Sequence, residues 1–250
     1  MQNNLALKRL VNAGLKEIIR EPKTLFFSIF FPFFFLIMFY GMSSIIDPSA
    51  STGLSFIEYL FPGILIFALI SIGFLGTSVP IIEMRQKGIL KTFRTTPLKE
   101  SVFVFSQIIV RLILSVLQIL FFGLLGLFMG VIELRELIPF ILISLLGMGM
   151  ILTLGFLLGG LFNNTELASG VLSFGMIPLL LLSGAMLPSY ILPEFLQYLS
   201  YVIPFTYLTD LYHQLLFGFD GKVSAIGDIL IVVALCAIFF YLTKRTFRWI

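Results

Sequence analysis

The sequence has few charged residues, one cysteine and one histidine among its 250 residues. Charged side chains make up 12% of the chain and hydrophobic ones 59%, whereas a soluble domain carries about 25% charged residues. Because so few charges cannot cover a water-facing surface, the excess apolar surface is expected to face lipid. The composition therefore predicts an integral membrane protein.

The scarcity of reactive side chains also excludes several kinds of chemistry. Cys236 is alone, which rules out a disulfide or a Cys-x-x-Cys metal site within the chain. His213, which we expect on the surface, lacks the partners that a metal centre or a Ser-His pair needs. No Gly-x-x-x-x-Gly-Lys-Ser/Thr loop occurs to hold ATP phosphates. The chain is therefore predicted not to be an enzyme, with no catalytic residue and no bound cofactor or metal.

Six apolar runs are long enough to cross a membrane, which takes about 20 residues of helix. They cover residues 24–43, 59–81, 101–131, 137–162, 167–187 and 225–243. Their apolar residues lie on nearly all faces, which favours helices over the alternating strands of a barrel. The predicted fold class is all-α, a polytopic membrane protein with six transmembrane helices.

The lysines and arginines predict the orientation of these spans. Five precede the first span, five lie in the loop 83–100 and three follow the last span, whereas the loop 45–58 has none. Cytoplasmic loops carry an excess of such residues, so both termini are predicted to be cytoplasmic. The basic residues form short clusters between apolar runs and no stripe on a polar domain, so no nucleic-acid partner is expected.

Residues 1–23 form the first of two predicted domains, and residues 24–250 form the transmembrane domain. Within the first, Leu7, Val11 and Leu15 share one helical face, while basic side chains line a separate flank. This pattern predicts an amphipathic helix lying in the cytoplasmic membrane interface.

The loop 83–97 breaks the apolar pattern most sharply. It is dense in charge, yet Ile89, Leu90 and Phe93 recur at helical spacing. An apolar knob with a charged rim is typical of a helix that docks into a groove of a partner protein. A basic loop that contacts anionic lipid head groups has the same composition, so both interpretations stay open.

A polar stripe runs along one face of the third predicted span and consists of Gln107, Arg111, Ser115 and Gln118. A cation inside a span is costly unless it is paired or wet. The stripe is therefore either part of a translocation pathway or a set of interhelical hydrogen bonds. In the second case Arg111 reaches toward the cytoplasm or pairs with Glu83 or Glu166.

The outer loop, about 188–224, combines prolines with nine aromatic side chains, five of which are tyrosines. Tyrosine is enriched at membrane interfaces because its ring is apolar and its hydroxyl is polar. We therefore expect two short helices that rest at the outer leaflet or dip into it.

Three stretches of the chain resemble the membrane permease subunit of ABC-2 type transporters, the class of drug and lipid exporters. The first is the amphipathic start that ends in Arg20-Glu21-Pro22, and the second is the E-x-R-x-x-G-x-L-x-x-x-x-x-x-P pattern of residues 83–97. The third is Leu-Ser-Gly-Ala-Met-Leu-Pro at residues 182–188, followed by Leu-Pro at 192–193 and Ile-Pro-Phe-Thr-Tyr at 203–207. The family typically has Asn where Ile203 stands.

The resemblance implies a cytoplasmic coupling helix at about 83–97 that docks on a separate ATP-binding cassette ATPase subunit. The residues expected to couple the two subunits are Glu83, Arg85, Lys87, Gly88, Leu90, Phe93, Arg94 and Pro97. The outer loop is expected to form re-entrant helices that gate the outer face, with gate residues Ser183, Gly184, Pro188, Pro193 and Pro204. ATP and Mg would be used by the partner, and two permeases would pair as a homodimer or with a paralogous permease.

The function implied is outward transport of a hydrophobic or amphipathic substrate (a drug, antibiotic or lipid-like molecule) by alternating access, in the plasma membrane of a bacterium. The alternatives are an ATP-independent channel, which the polar stripe would line, and an intramembrane enzyme, which would need clustered ionisable groups.

Overall fold

The computed structural model describes residues 2–20, 26, 30–43, 54–89, 100–188, 191–219 and 221–246. These residues form helices and turns, with no strand among them. The helices are α1 (Gln2–Arg20), α2 (Phe31–Ser43), α3 (Phe56–Gly73), α4 (Leu75–Gln86), α5 (Glu100–Phe128), α6 (Leu137–Leu161), α7 (Thr165–Leu182), α8 (Glu194–Ser200), α9 (Pro204–Phe217) and α10 (Ala225–Thr246). The predicted all-α fold class is confirmed.

Five apolar helical stretches in the described part are long enough to cross a membrane. They are α3 together with α4, α5 from Val102, α6, α7 and α10. The apolar helix α2 has 13 residues and is about 20 Å long, shorter than the hydrocarbon core. Residues 24, 25 and 27–29 of the predicted first span, 24–43, lie outside the described residues, so the count of six spans stays a prediction.

The second predicted span consists of two helices, α3 and α4, that meet at Phe74. Pro80 lies inside α4 and has no amide hydrogen, so the carbonyl of Gly76, four residues earlier, has no helical donor. Arg111 of α5 supplies one, because its Nε donates to Gly76 O over 3.0 Å. Arg111 of the polar stripe thus supplies Gly76 O with the donor that Pro80 cannot provide.

Glycines bring α6 unusually close to α3 and α4. A Cβ on Gly155 would clash with the carbonyl oxygen of Gly73. At the same place the hydroxyl of Ser78 donates to Gly155 O over 2.8 Å. Close approach through small residues and interhelical hydrogen bonds is how helices associate where lipid offers no hydrophobic driving force. The contact of α6 with α3 and α4 therefore depends on a close approach of the helix backbones.

The helix α9 packs against α3, α6 and α10 and buries one apolar face, including Phe205, Leu208 and Tyr212. The hydroxyl of Tyr212 is 2.7 Å from that of Ser144 in α6, so the buried phenol has a polar partner. This outer-loop segment is therefore part of the packed bundle.

The two ends of the bundle carry different elements. We call the end that holds the end of α4, the α6–α7 turn and the end of α10 the basic side, which the sequence predicts to be cytoplasmic. We call the opposite end, with the start of α3 and the segment 183–224, the outer side. The helix α1 packs along α5 with Gly14 buried against Val110, while its predicted location in the membrane interface stays a prediction.

We expect Gly155→Ala to destabilise the protein, because the added methyl group meets the Gly73 carbonyl. Overpacking typically costs about 1–3 kcal/mol. Gly149→Ala, in the same helix, is the matched control because a Cβ there meets nothing within 4 Å. Thermal midpoints of the purified variants would measure the difference, and equal midpoints would contradict the close contact.

Candidate functional site

The described residues of the predicted coupling segment lie at the end of α4. Glu83 and Lys87 form a salt bridge of 2.5 Å one helical turn apart, and exposed pairs of this kind contribute little to stability. Gly88 ends the helix with a φ of 70°, and its amide donates to Arg85 O over 3.0 Å. Outside the described residues lie Leu90, Phe93, Arg94 and Pro97.

The side chain of Arg85 binds the end of α6. Its Nη2 donates to Gly159 O over 2.5 Å, and its Nη1 donates to Phe162 O over 3.2 Å and to Asn163 Oδ1 over 3.4 Å. The last carbonyls of a helix have no helical donor, and a cation there also complements the helix dipole. Arg85 therefore joins α4 to α6, while its predicted contact with an ATPase stays a prediction.

Gln86 extends this junction to α7. Its Nε2 donates to Asn163 O over 3.1 Å, and its Oε1 accepts from the hydroxyl of Thr165 over 2.5 Å. We call Arg85, Gln86, Asn163 and Thr165 the basic-side clamp. Sequence reasoning missed three of its members, although a run of polar residues between two apolar spans was a visible signal. The clamp connects the end of α4 with the turn between α6 and α7.

We expect Arg85→Ala to loosen the α6–α7 turn, because three acceptors lose their donor. Arg85→Lys should rescue little, since one ammonium group cannot reproduce the guanidinium fork. Backbone amides of residues 162–166 should exchange hydrogen faster in both variants, which mass spectrometry would measure. Lys87→Ala is the control, because its salt bridge is exposed, and exchange as fast as in Arg85→Ala would contradict the clamp.

The polar stripe on α5 is largely buried. Ser115 is 0% and Gln118 4% exposed, and the hydroxyl of Ser115 donates to the carbonyl of Arg111 over 2.5 Å. Arg111 is 5% exposed and donates to Gly76 O, to Gln107 O over 3.3 Å and to Gln107 Oε1. Interhelical hydrogen bonding is thus observed for the stripe, through the Arg111–Gly76 bond.

One of the alternatives for Arg111, pairing with Glu83 or Glu166, is not observed, since no salt bridge joins Arg111 to either described carboxylate. Instead, a cavity of about 170 Å³ opens beside the stripe, between α1, α4 and α5. Gln107 and Arg111 line this cavity, whereas Ser115 and Gln118 do not. Of the four stripe residues, the two on the basic side therefore border this cavity.

The outer gate predicted from the resemblance centres on a tight contact with α3. The hydroxyl of Tyr59 donates to Gly184 O over 2.7 Å, and a Cβ on Gly63 would clash with Ala185 O. Gly184 has a φ of 81°, and Ser183 is buried and ends α7. Backbone of the segment after α7 therefore lies directly on α3.

Three prolines of the predicted gate lie in the segment that follows α7. The carbonyl of Pro188 accepts from the amide of Ile191 over 3.1 Å. Pro193 precedes α8 and Pro204 begins α9, a first-turn position that tolerates the missing amide hydrogen. Ile203 stands before Pro204 in an extended conformation and offers no side-chain cap. The role of these residues as a gate stays a prediction.

His213 is buried, which corrects the expectation of a surface residue. It is 9% exposed, and its ring lies 4.9 Å from that of Tyr59 and near those of Phe217 and Phe219. Its sequence neighbours, Tyr212 and Gln214, gave no sign of burial by α3. Burial lowers the pKa of His213 to about 4, although the backbone of Tyr59 opposes the shift.

A polar network on the outer side was also missed from the sequence. The amide of Lys222 donates to Asp210 Oδ2 over 3.2 Å, and the Lys222 ammonium donates to Ser200 Oγ over 2.5 Å and sits 5.0 Å above the ring of Tyr201. Burial raises the pKa of Asp210 and lowers that of Lys222. The network joins α8, α9 and the turn before α10.

The buried imidazole makes stability depend on pH. Between about pH 6.5, the ordinary pKa of histidine, and about 4, the unfolded chain binds a proton that folded His213 does not. Stability therefore falls as the pH is lowered through this window. We expect the thermal midpoint to fall more steeply in the wild type than in His213→Phe. Parallel pH profiles of the two proteins would contradict this.

An apolar helical bundle with five stretches that can cross a membrane defines a multi-pass membrane protein. Residues 6–217 match the model of the family described as ABC-2 type transporter. The chain belongs to the ABC-2 type transporter family, and the resemblance drawn from its three sequence stretches is confirmed.

Relatives of known sequence agree with this assignment. The chain is 31% identical over 208 residues to a protein of Cyanophora paradoxa, with 80% of this chain and 70% of that protein covered. It is 30% identical over 212 residues to one of Porphyra purpurea, with 82% and 71% covered. Both are named as ycf38 transport permeases, and the chain is likewise a permease of the ABC-2 type.

Proposed function

We propose that this chain is the membrane-spanning subunit of an exporter that moves a hydrophobic or amphipathic substrate outward, driven by a separate ATP-binding cassette ATPase. The observation that carries the proposal is the basic-side clamp. It fixes the end of α4, where the charged segment 83–97 begins, to both α6 and α7. A push on that segment therefore reaches three helices.

The fold provides a route for this motion to the outer side. The α3–α4 unit runs through the bundle from the clamp to the Tyr59–Gly184 hydrogen bond, and glycine contacts hold it against α6 along the way. In the proposed cycle, ATP binding closes two ATPase subunits and shifts the permease between inward-open and outward-open states. The partner drives this shift through its different affinity for the two states.

A second permease, either another copy or a paralogue, would complete the pathway in the plasma membrane, with both termini in the cytoplasm. The buried stripe supports this arrangement over the ATP-independent channel, because Ser115 and Gln118 pack within the chain and line no pore there. Recovery of an ATPase subunit with the tagged chain from native membranes would favour the exporter. Recovery of the chain alone from well-expressing cells would favour the channel.

A charge swap at the end of α4 tests the docking surface. Glu83→Lys and Lys87→Glu each break the exposed salt bridge, whereas the double variant restores it with reversed polarity. We expect all three to reach the membrane but to bind the ATPase about tenfold more weakly, because the partner meets the wrong charge pattern. Binding would be measured by co-purification and by stimulation of ATP hydrolysis.

The matched control is the exposed Glu133–Arg135 pair on the outer side, joined over 2.8 Å. Swapping its two charges should leave ATPase binding unchanged. Full binding by the Glu83–Lys87 double swap would show that only the intrachain pair matters, and it would contradict docking through this surface.

A further inference from the structure

The cavity between α1, α4 and α5 is lined by a buried cation, Arg111, which has a hydrogen-bond donor that no described residue uses. Arg111 uses Nε and Nη1 for its bonds to Gly76 and Gln107. Its Nη2 makes no hydrogen bond to a described residue, and the side chain lines the cavity while being only 5% exposed. A buried guanidinium in a membrane protein strongly favours an anionic partner.

A carboxylate faces this cation across the cavity. Glu17 of α1 lines the same space and acts on Arg111 electrostatically, yet no salt bridge joins the two. Glu17 lies on the exposed side of α1 and pairs with no described cation. The cavity therefore separates one positive and one negative charge that do not neutralise each other by contact.

Among the described residues, the other two charges that border the cavity pair with each other, and much of the rest of the lining is apolar. Glu83 and Lys87 also border the cavity, but they form a salt bridge with each other. The other walls include Ile18, Ile72 and Leu114, which suit hydrocarbon. A ligand that matches this arrangement carries an anionic group, a nearby cationic group and an apolar continuation.

We infer that this cavity binds the headgroup of an amphipathic molecule in which a phosphate or carboxylate lies beside a protonated amine, as in phosphoethanolamine. The anionic group binds Arg111 Nη2, the amine lies toward Glu17, and the apolar part extends along the isoleucine and leucine walls. Phosphate bound to a guanidinium makes charge-assisted hydrogen bonds. Binding at this cavity stands independently of the proposed function, and only its use for the transported substrate would rest on that function.

Lipid retention by the purified chain tests the inference without ATP or a partner subunit. Native mass spectrometry would compare dioleoyl phosphatidylethanolamine, its N-acetylated form, which lacks the ammonium charge, and dioleoyl phosphatidylglycerol. We expect the wild type to retain the amine-bearing lipid about tenfold more strongly than the other two. Free phosphoethanolamine at millimolar concentration should displace it, because the inferred polar contacts are all to the headgroup, and no displacement would contradict a headgroup site.

Two charge variants separate the proposed contacts. Arg111→Gln should weaken retention of all three lipids, whereas Glu17→Gln should remove only the preference for the amine. Ile18→Trp, on the surface helix α1, narrows the cavity without changing a charge and should weaken lipid retention. It tests the cavity independently of whether the Arg111→Gln variant folds. Arg135→Gln and Glu194→Gln, on the outer side, are the matched controls and should retain lipid like the wild type.

Three further outcomes would overturn the inference. They are retention without headgroup preference, an unchanged preference in Glu17→Gln, and equal effects of cavity and control variants. Any of these would leave the ATPase partnership untouched, and a failed ATPase test would leave a positive binding result standing.

Discussion

A backbone carbonyl that lacks a helical donor needs another hydrogen-bond partner, because the membrane interior offers no water. Two arginines of the bundle supply such donors. Pro80 deprives the carbonyl of Gly76 of its donor, and Arg111 supplies one over 3.0 Å. The end of α6 leaves the carbonyl of Gly159 without a helical donor, and Arg85 supplies one. Each arginine joins α4 to another helix, so α4 is held between α5 and α6 by hydrogen bonds to carbonyls that lack a helical donor.

The position of α4 relates the functional features to one another. Its end leads into the charged segment 83–97, its clamp holds the turn between α6 and α7, and its side borders the cavity of Arg111 and Glu17. Through α3 it continues to the outer side, where Tyr59 holds Gly184. In the proposed cycle one element therefore joins the proposed ATPase surface, the proposed binding cavity and the outer segment, so that a partner's motion would reach all three.

The sequence predicted what depends on composition and period, and missed what depends on tertiary contact. Apolar runs identified α5, α6, α7 and α10, and the three stretches identified the family. The junction at Phe74 was missed because the glycines beside it, Gly73 and Gly76, are also common within transmembrane helices. Arg85 was assigned to a partner because its charge is visible in sequence, whereas its acceptors lie more than 70 residues away. Burial of His213 by α3 and the bond from Lys222 to Asp210 likewise depend on packing.

The most direct test of the central claim is whether the basic-side clamp moves as one body. Spin labels at Ile89 and Glu166 span the clamp, and labels at Leu134 and Glu194 span the outer side, in a Cys236→Ser background. Pulsed electron resonance on the complex with its ATPase would give both distances with and without ATP. The account predicts an unchanged clamp distance and a changed outer distance. A clamp distance that changes with ATP, or an outer distance that does not, would contradict it.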